Sequence, residues 1–171
     1  RVHIRIEKEI KIDKSKPYII VSGGTKENVV PSHCTAKIIN GIISELTTKG
    51  VAVHASNPEK GENAISKMLI KIVEDNIDFQ YRDDIELLLK YLCSDYYGDA
   101  LGINQYDDVF KNTTLNLGIL EVNEEKIICE LDIRYGKNIN LNNILDRFKK
   151  VFCNDWNIKI ISHKDLHYVD E

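Results

Sequence analysis

The feature that most constrains this chain is a change of hydrophobic period partway along it. Val2, Ile4 and Ile6 alternate with polar residues, and Ile10 and Ile12 continue after a one-residue shift. Tyr18–Val21 is a compact apolar run closed by Gly23-Gly24. Alternation puts successive side chains on opposite faces, so these runs read as strands. Asn40-Gly41 lies between two apolar runs, 36–39 and 42–46. That is the pattern of a tight hairpin in which both turn residues take positive φ. A further strand is expected over 51–54, broken by Ser56-Asn57-Pro58.

From Ala64 onward the period lengthens to that of a helix. Ala64, Ile65, Met68, Leu69, Ile72 and Val73 form one stripe, opening near 61–63. Ile85, Leu88, Leu89 and Leu92 form a second, with Asp83 or Asp84 expected as its N-cap. The polar stretch 98–111 reads as a loop. Alternation then returns in Leu115, Leu117 and Ile119 and in Ile127, Cys129, Leu131 and Ile133, around a turn at 123–126. A third helix carries Leu141, Ile144, Leu145, Phe148, Val151 and Phe152, and a strand follows at 158–161. Strands in hairpins with helices singly or in pairs predict an α+β fold: a mostly antiparallel sheet with helices on one face, in the style of a ferredoxin-like sandwich. The second half is the clearer such unit and the first half a related one with fewer helices, so candidate subunits are 1–75 and 76–171.

Composition narrows the function classes. Lys plus Arg number 23 against 27 Asp plus Glu, a net charge of −4, and the early lysines alternate with acids. Nucleic-acid binding needs a concentrated basic face, and none is visible. No apolar run approaches the ~20 residues that cross a bilayer, and no signal peptide is evident, so neither a membrane nor an export role is expected. Cys34, Cys93, Cys129 and Cys153 stand far apart without Cys-x-x-Cys spacing, which suits reduced thiols and a cytoplasmic location. The five histidines (His3, His33, His54, His163, His167) are equally dispersed, so no closed zinc site is expected here. The chain starts at Arg1 without a methionine and reads as a piece of a longer protein.

Three local motifs point towards chemistry: Gly23-Gly24-Thr25-Lys26-Glu27-Asn28-Val29-Val30-Pro31; the string from Gly50 through His54-Ala55-Ser56-Asn57-Pro58-Glu59-Lys60-Gly61-Glu62-Asn63 to Ile65; and Leu131-Asp132-Ile133-Arg134-Tyr135-Gly136. Their content and order resemble the di-zinc exopeptidase family that includes carboxypeptidase G-type enzymes and aminoacylase. More narrowly they are similar to the lid domain of its bacterial dipeptidases of the Xaa-His type, from about Tyr18 to the C-terminus. The ending 163–169 looks like the return segment into that family's catalytic domain. The interval between Asn28 and His54 is shorter than in those lids and closes through the Asn40-Gly41 hairpin.

The resemblance implies a lid that closes over a separate catalytic domain, which would hold two zinc ions; none of the ligand motifs lies in this chain. It implies that the whole protein hydrolyses dipeptides and that this piece alone does not. His54 matches the histidine implied to stabilise the oxyanion of the tetrahedral intermediate; read alone, it is a strand-end surface residue. Asn28 matches an asparagine implied to bind the same carbonyl or the substrate backbone; read alone, it is turn chemistry beside two glycines. Arg134 matches the arginine implied to pair with the substrate's C-terminal carboxylate, which a planar guanidinium can do bidentately. Its plainer reading is a strand arginine paired with Asp132 or Glu130. Gly118 is a candidate for close backbone approach to the substrate, and Glu59, Gly61 and Asn63 for shaping the helix start. The expected partners are the catalytic domain and a dipeptide; the rival reading is a non-catalytic ferredoxin-like binding or oligomerisation domain using an exposed sheet edge.

Overall fold

The computed structural model describes residues 1–153 and 155–165. Seven strands make one sheet: β1 (Val2–Glu9), β2 (Tyr18–Gly23), β3 (His33–Asn40), β4 (Ile42–Lys49), β5 (Thr114–Val122), β6 (Lys126–Arg134) and β7 (Trp156–His163). Their spatial order is β4-β3-β2-β5-β6-β1-β7, and every neighbouring pair is antiparallel. Helices α1 (Ala64–Glu74), α2 (Arg82–Leu92) and α3 (Leu141–Val151) cover the apolar face. The α+β sandwich expected from the periodicity is therefore what forms. One end of the sheet, β7-β1-β6-β5 with its crossing helices, has the split pattern of a ferredoxin-like unit. β2, β3 and β4 extend that sheet from an insertion after β1. Because β1 lies between β6 and β7, the described residues on either side of 75 share one sheet and one core.

The alternation decides which face is dry. Val2, Ile4 and Ile6 of β1 and Ile127, Cys129, Leu131 and Ile133 of β6 are fully buried beneath the helices. Residues of opposite phase (His3, Arg5, Glu130, Asp132 and Arg134) therefore gather on the other face. α1 starts at Asn63, whose Oδ1 accepts the backbone N–H of Ile65 and Ser66 at 2.9 and 3.2 Å. A cap of this kind contributes about 1 kcal/mol. Asn63 Nδ2 also donates to Leu117 O at 2.9 Å, which pins the helix start to β5.

Three local expectations are corrected. The stretch 51–54 is no strand, because Val51 exchanges backbone hydrogen bonds with Glu62 while Val53 O accepts from Val30. Two different partners leave no continuous ladder. α2 is entered from Tyr81 in a left-handed conformation (φ 64°) with no side-chain cap, and Asp83 and Asp84 sit in its first turn. Asp84 is held by Lys8, with both oxygens 2.9 Å from Nζ. In the β3–β4 hairpin only Gly41 has positive φ, at 73°, while Asn40 remains paired with Ile42.

Candidate functional site

The segment after β2 folds back over the polar face of the sheet. Its path is set by two contacts. Gly118 lies where the β5–β6 register shifts, and a Cβ there would stand 2.5 Å from both Cα and O of Glu27. The close approach that Gly118 permits is thus that of the 27–29 backbone, and it bears on a substrate only through that segment. Asn116, one turn of the pleat away, donates from Nδ2 to Glu27 O at 2.8 Å and to Val29 O at 3.1 Å. Nothing in the sequence around Asn116 singled it out. Its signal was the phase: it faces away from Leu115 and Leu117, and it is buried.

Segment 28–30 then pairs with 53–55. Val29 bridges His54, Val30 N donates to Val53 O and Ala55 N donates to Asn28 O, both at 2.9 Å. The segments carrying Asn28 and His54 thus run side by side, with His54 opposite Val29 and Asn28 opposite Ala55, although 25 residues intervene. The Pro58–Lys60 3₁₀ turn follows, closed by Gly61 N on Pro58 O, so the whole motif around His54 is anchored to α1 through Asn63. Asn28 Oδ1 is buried with no hydrogen-bond partner.

His54 is exposed, and its ring is held from one side. The backbone N–H of Ser56 donates to Nδ1 at 3.1 Å, and Ser56 Oγ lies 2.8 Å from the same atom. A backbone amide can only donate, so Nδ1 is the acceptor and the neutral ring carries its proton on Nε2. His54 is thus presented as a donor with its proton outward.

On the polar face, Arg134 Nε lies 2.9 Å from Oδ1 of Asp132, a fully buried carboxylate. Arg1 Nε stands 3.1 Å from the other oxygen, and Arg1 Nη2 reaches Glu27 Oε1 at 3.2 Å. The plainer reading of Arg134 as Asp132's partner therefore holds for Nε, while Nη2 is buried and unpartnered. His3 adds a further link, with Nε2 2.8 Å from Glu130 and Nδ1 3.7 Å from Glu27. Through Asp132, Arg1 and Glu27, Arg134 is connected to the segment carrying Asn28, and through Val29 to His54. A cleft of about 280 Å³ beside this segment is lined by 22–25 and 29–35. It contains none of Asn28, His54 or Arg134.

Among the described residues no three His, Cys, Asp or Glu side chains are placed to hold a metal. Of the described histidines, His54 has Nδ1 engaged by Ser56, and His163 has Nε2 2.7 Å from Tyr135 Oη. No helix among the described residues is long and apolar enough to cross a membrane. Of the expected return segment 163–169, residues 166–169 lie outside the described residues.

Comparison with known proteins adds to this geometry. A protein named "Putative dipeptidase" from Staphylococcus epidermidis is 27% identical over 128 residues, covering 74% of this chain and 27% of its own length. A protein named "Putative dipeptidase SAR1836" from Staphylococcus aureus (strain MRSA252) is 23% identical over 199 residues, covering 97% of this chain and 42% of its own. The chain thus spans less than half the length of these curated relatives. The family model described as peptidase dimerisation domain matches residues 40–152, two-thirds of the chain, running from the β3–β4 turn to the end of α3. By that match, this chain belongs to the peptidase dimerisation domain family.

Proposed function

We propose that the chain is the lid domain of a zinc dipeptidase, closing over a catalytic domain encoded by flanking sequence. The observation that carries this reading is an exposed His54, held through Nδ1 by Ser56 so that its proton is on Nε2, on a segment paired with the one that carries Asn28. Peptide hydrolysis places negative charge on the carbonyl oxygen in the tetrahedral intermediate, and a preset neutral donor stabilises charge where it develops. His54 is assigned that role, and Asn28 the substrate carbonyl or backbone. Arg134 is assigned the substrate's C-terminal carboxylate. Zinc, held by the catalytic domain, would supply the activated water; this chain's part is to bind, orient and exclude solvent. The isolated chain is accordingly expected to fold without hydrolysing dipeptides.

The test compares kcat/KM for one dipeptide and its C-terminal amide in the full-length protein. Wild type should prefer the free acid, and Arg134→Ala should lose most of that preference. A wild type that treats both alike removes the exopeptidase reading. A second reading, a non-catalytic oligomerisation domain, draws on β4, one of the two edge strands, where Ile42 and Ile43 are 76% and 65% exposed. Such an edge offers unpaired backbone groups to a second chain. Ile43→Lys together with light scattering separates the two. Loss of a dimer with full activity favours assembly alone.

A further inference from the structure

Resting on the reading of Arg134 as a carboxylate anchor, we propose that Asp132 is its positioning residue. Asp132 holds the guanidinium by Nε and so aims the opposite edge at the substrate. The first support is burial. Asp132 is fully buried, and an unpaired carboxylate there would be costly. Arg1 stands with Nε 3.1 Å from Oδ2 as an ion-pair contact, and Oδ2 accepts no hydrogen bond. Arg1 is shared with Glu27 at 3.2 Å, so Asp132 needs Arg134 as well, and it holds Arg134 through Nε alone.

The second support is directional. A planar guanidinium offers one edge through Nε and Nη2 and another through Nη1 and Nη2. With Nε spent on Asp132 at 2.9 Å, bidentate recognition must use the outer edge. Neither nitrogen of that edge has a partner among the described residues, and Nη2 is buried without one. A buried donor with no acceptor points to a missing one. The third support is independence. Asp132 holds Arg1, and Arg1 holds Glu27 at 3.2 Å, next to Asn28. The segment beside Asn28 is held independently by Asn116, at 2.8 Å from Glu27 O and 3.1 Å from Val29 O, so removing the Asp132 charge acts on the anchor and leaves that segment in place.

The test measures kcat and KM for a dipeptide and its C-terminal amide in the full-length protein. The four enzymes are wild type, Asp132→Asn, Arg134→Ala and the double variant. Misplacing the fork by about 1 Å should raise the dipeptide KM roughly ten- to hundredfold in Asp132→Asn. The amide KM and kcat should hold within about threefold, and Asp132→Asn should add little in the Arg134→Ala background. Equal losses on both substrates, or additive losses in the double variant, would overturn the proposal. If wild type shows no preference for the acid, the carboxylate reading itself fails, and no variant is needed to see it. Should Asp132→Asn not melt cooperatively, guanidinium added to Arg134→Ala decides the matter. Asp132 should seat the free cation and restore part of the preference for the acid; no restoration overturns the proposal.

Discussion

Replacing Gly118 by alanine tests whether the 27–29 segment is held where the site needs it. The new Cβ would lie 2.5 Å from Cα and O of Glu27 and 2.7 Å from its C. These are backbone atoms, and none can swing aside as a side-chain tip would. To reach an ordinary carbon contact of ~3.5 Å the segment must retreat by about 1 Å. It is tethered against that movement by Asn116 at 2.8 and 3.1 Å and by the Arg1–Glu27 pair at 3.2 Å. Overpacking of this kind costs about 1–3 kcal/mol. At about 2–4 °C per kcal/mol for a chain of this size, Tm should fall by roughly 2–12 °C. The same retreat displaces Asn28, and a 1 Å error in a positioned group costs on the order of a hundredfold in rate. The assays are thermal melting by circular dichroism and kcat/KM on a dipeptide in the full-length protein. A Gly118→Ala variant that melts with wild type and keeps its kcat/KM would refute the reasoning: the segment would then yield freely, or Asn28 would have no part in the site.

Three further outcomes are expected. His54→Ala in the full-length protein should lower kcat by roughly a hundred- to thousandfold with a smaller change in KM; steady-state kinetics check this, and an unchanged kcat leaves His54 a surface residue. The chain should lose stability on acidification below about pH 4, the ordinary range of an unfolded aspartate. The backbone N–H groups of Phe110, Lys137 and Val109 hold Asp107 below that range. Burial pushes Asp95 up, but the N–H groups of Asp99, Tyr97, Ala100 and Gly98 outweigh it and leave it lowered. A folded-state carboxyl held low adds stability above the unfolded pKa and loses it as pH falls through the folded one. Urea midpoints at several pH values should therefore drop in acid, and less steeply in Asp107→Asn. Finally, Cys153 is exposed, whereas burial pushes the Cys34 and Cys93 thiols up to about 12 and Cys129 well above its usual value. At pH 8 a thiol reagent should label Cys153 quickly and the other three only after denaturation, as peptide mapping would show.

Much of this molecule was legible in its residues taken in order. Alternation in β1, β5 and β6 and the stripes of α1, α2 and α3 are local, because a strand or helix shows its buried face at its own period. The same phase put Arg134 opposite Ile133, and the motif around His54 marked the helix start at Asn63. Strand pairing is not local. β1 pairs with β6 and β7 across more than a hundred residues, and no pattern in 1–75 announces a partner beyond 125. For that reason the 51–54 run read as a strand although Glu62 and Val30 divide it between them. The site needed the same information. The segment of Asn28 joins that of His54 because 28–30 pairs with 53–55. Arg134 joins them through Asp132, Arg1 and Glu27, residues drawn from three separate stretches. Asn116 was silent in sequence because an asparagine in a strand declares nothing until the backbone it binds is in place. Residue order thus determined which faces are buried and which residue types could act. Tertiary pairing alone decided which of them meet, because hydrogen-bond partners across a sheet are chosen by the packing of the whole core.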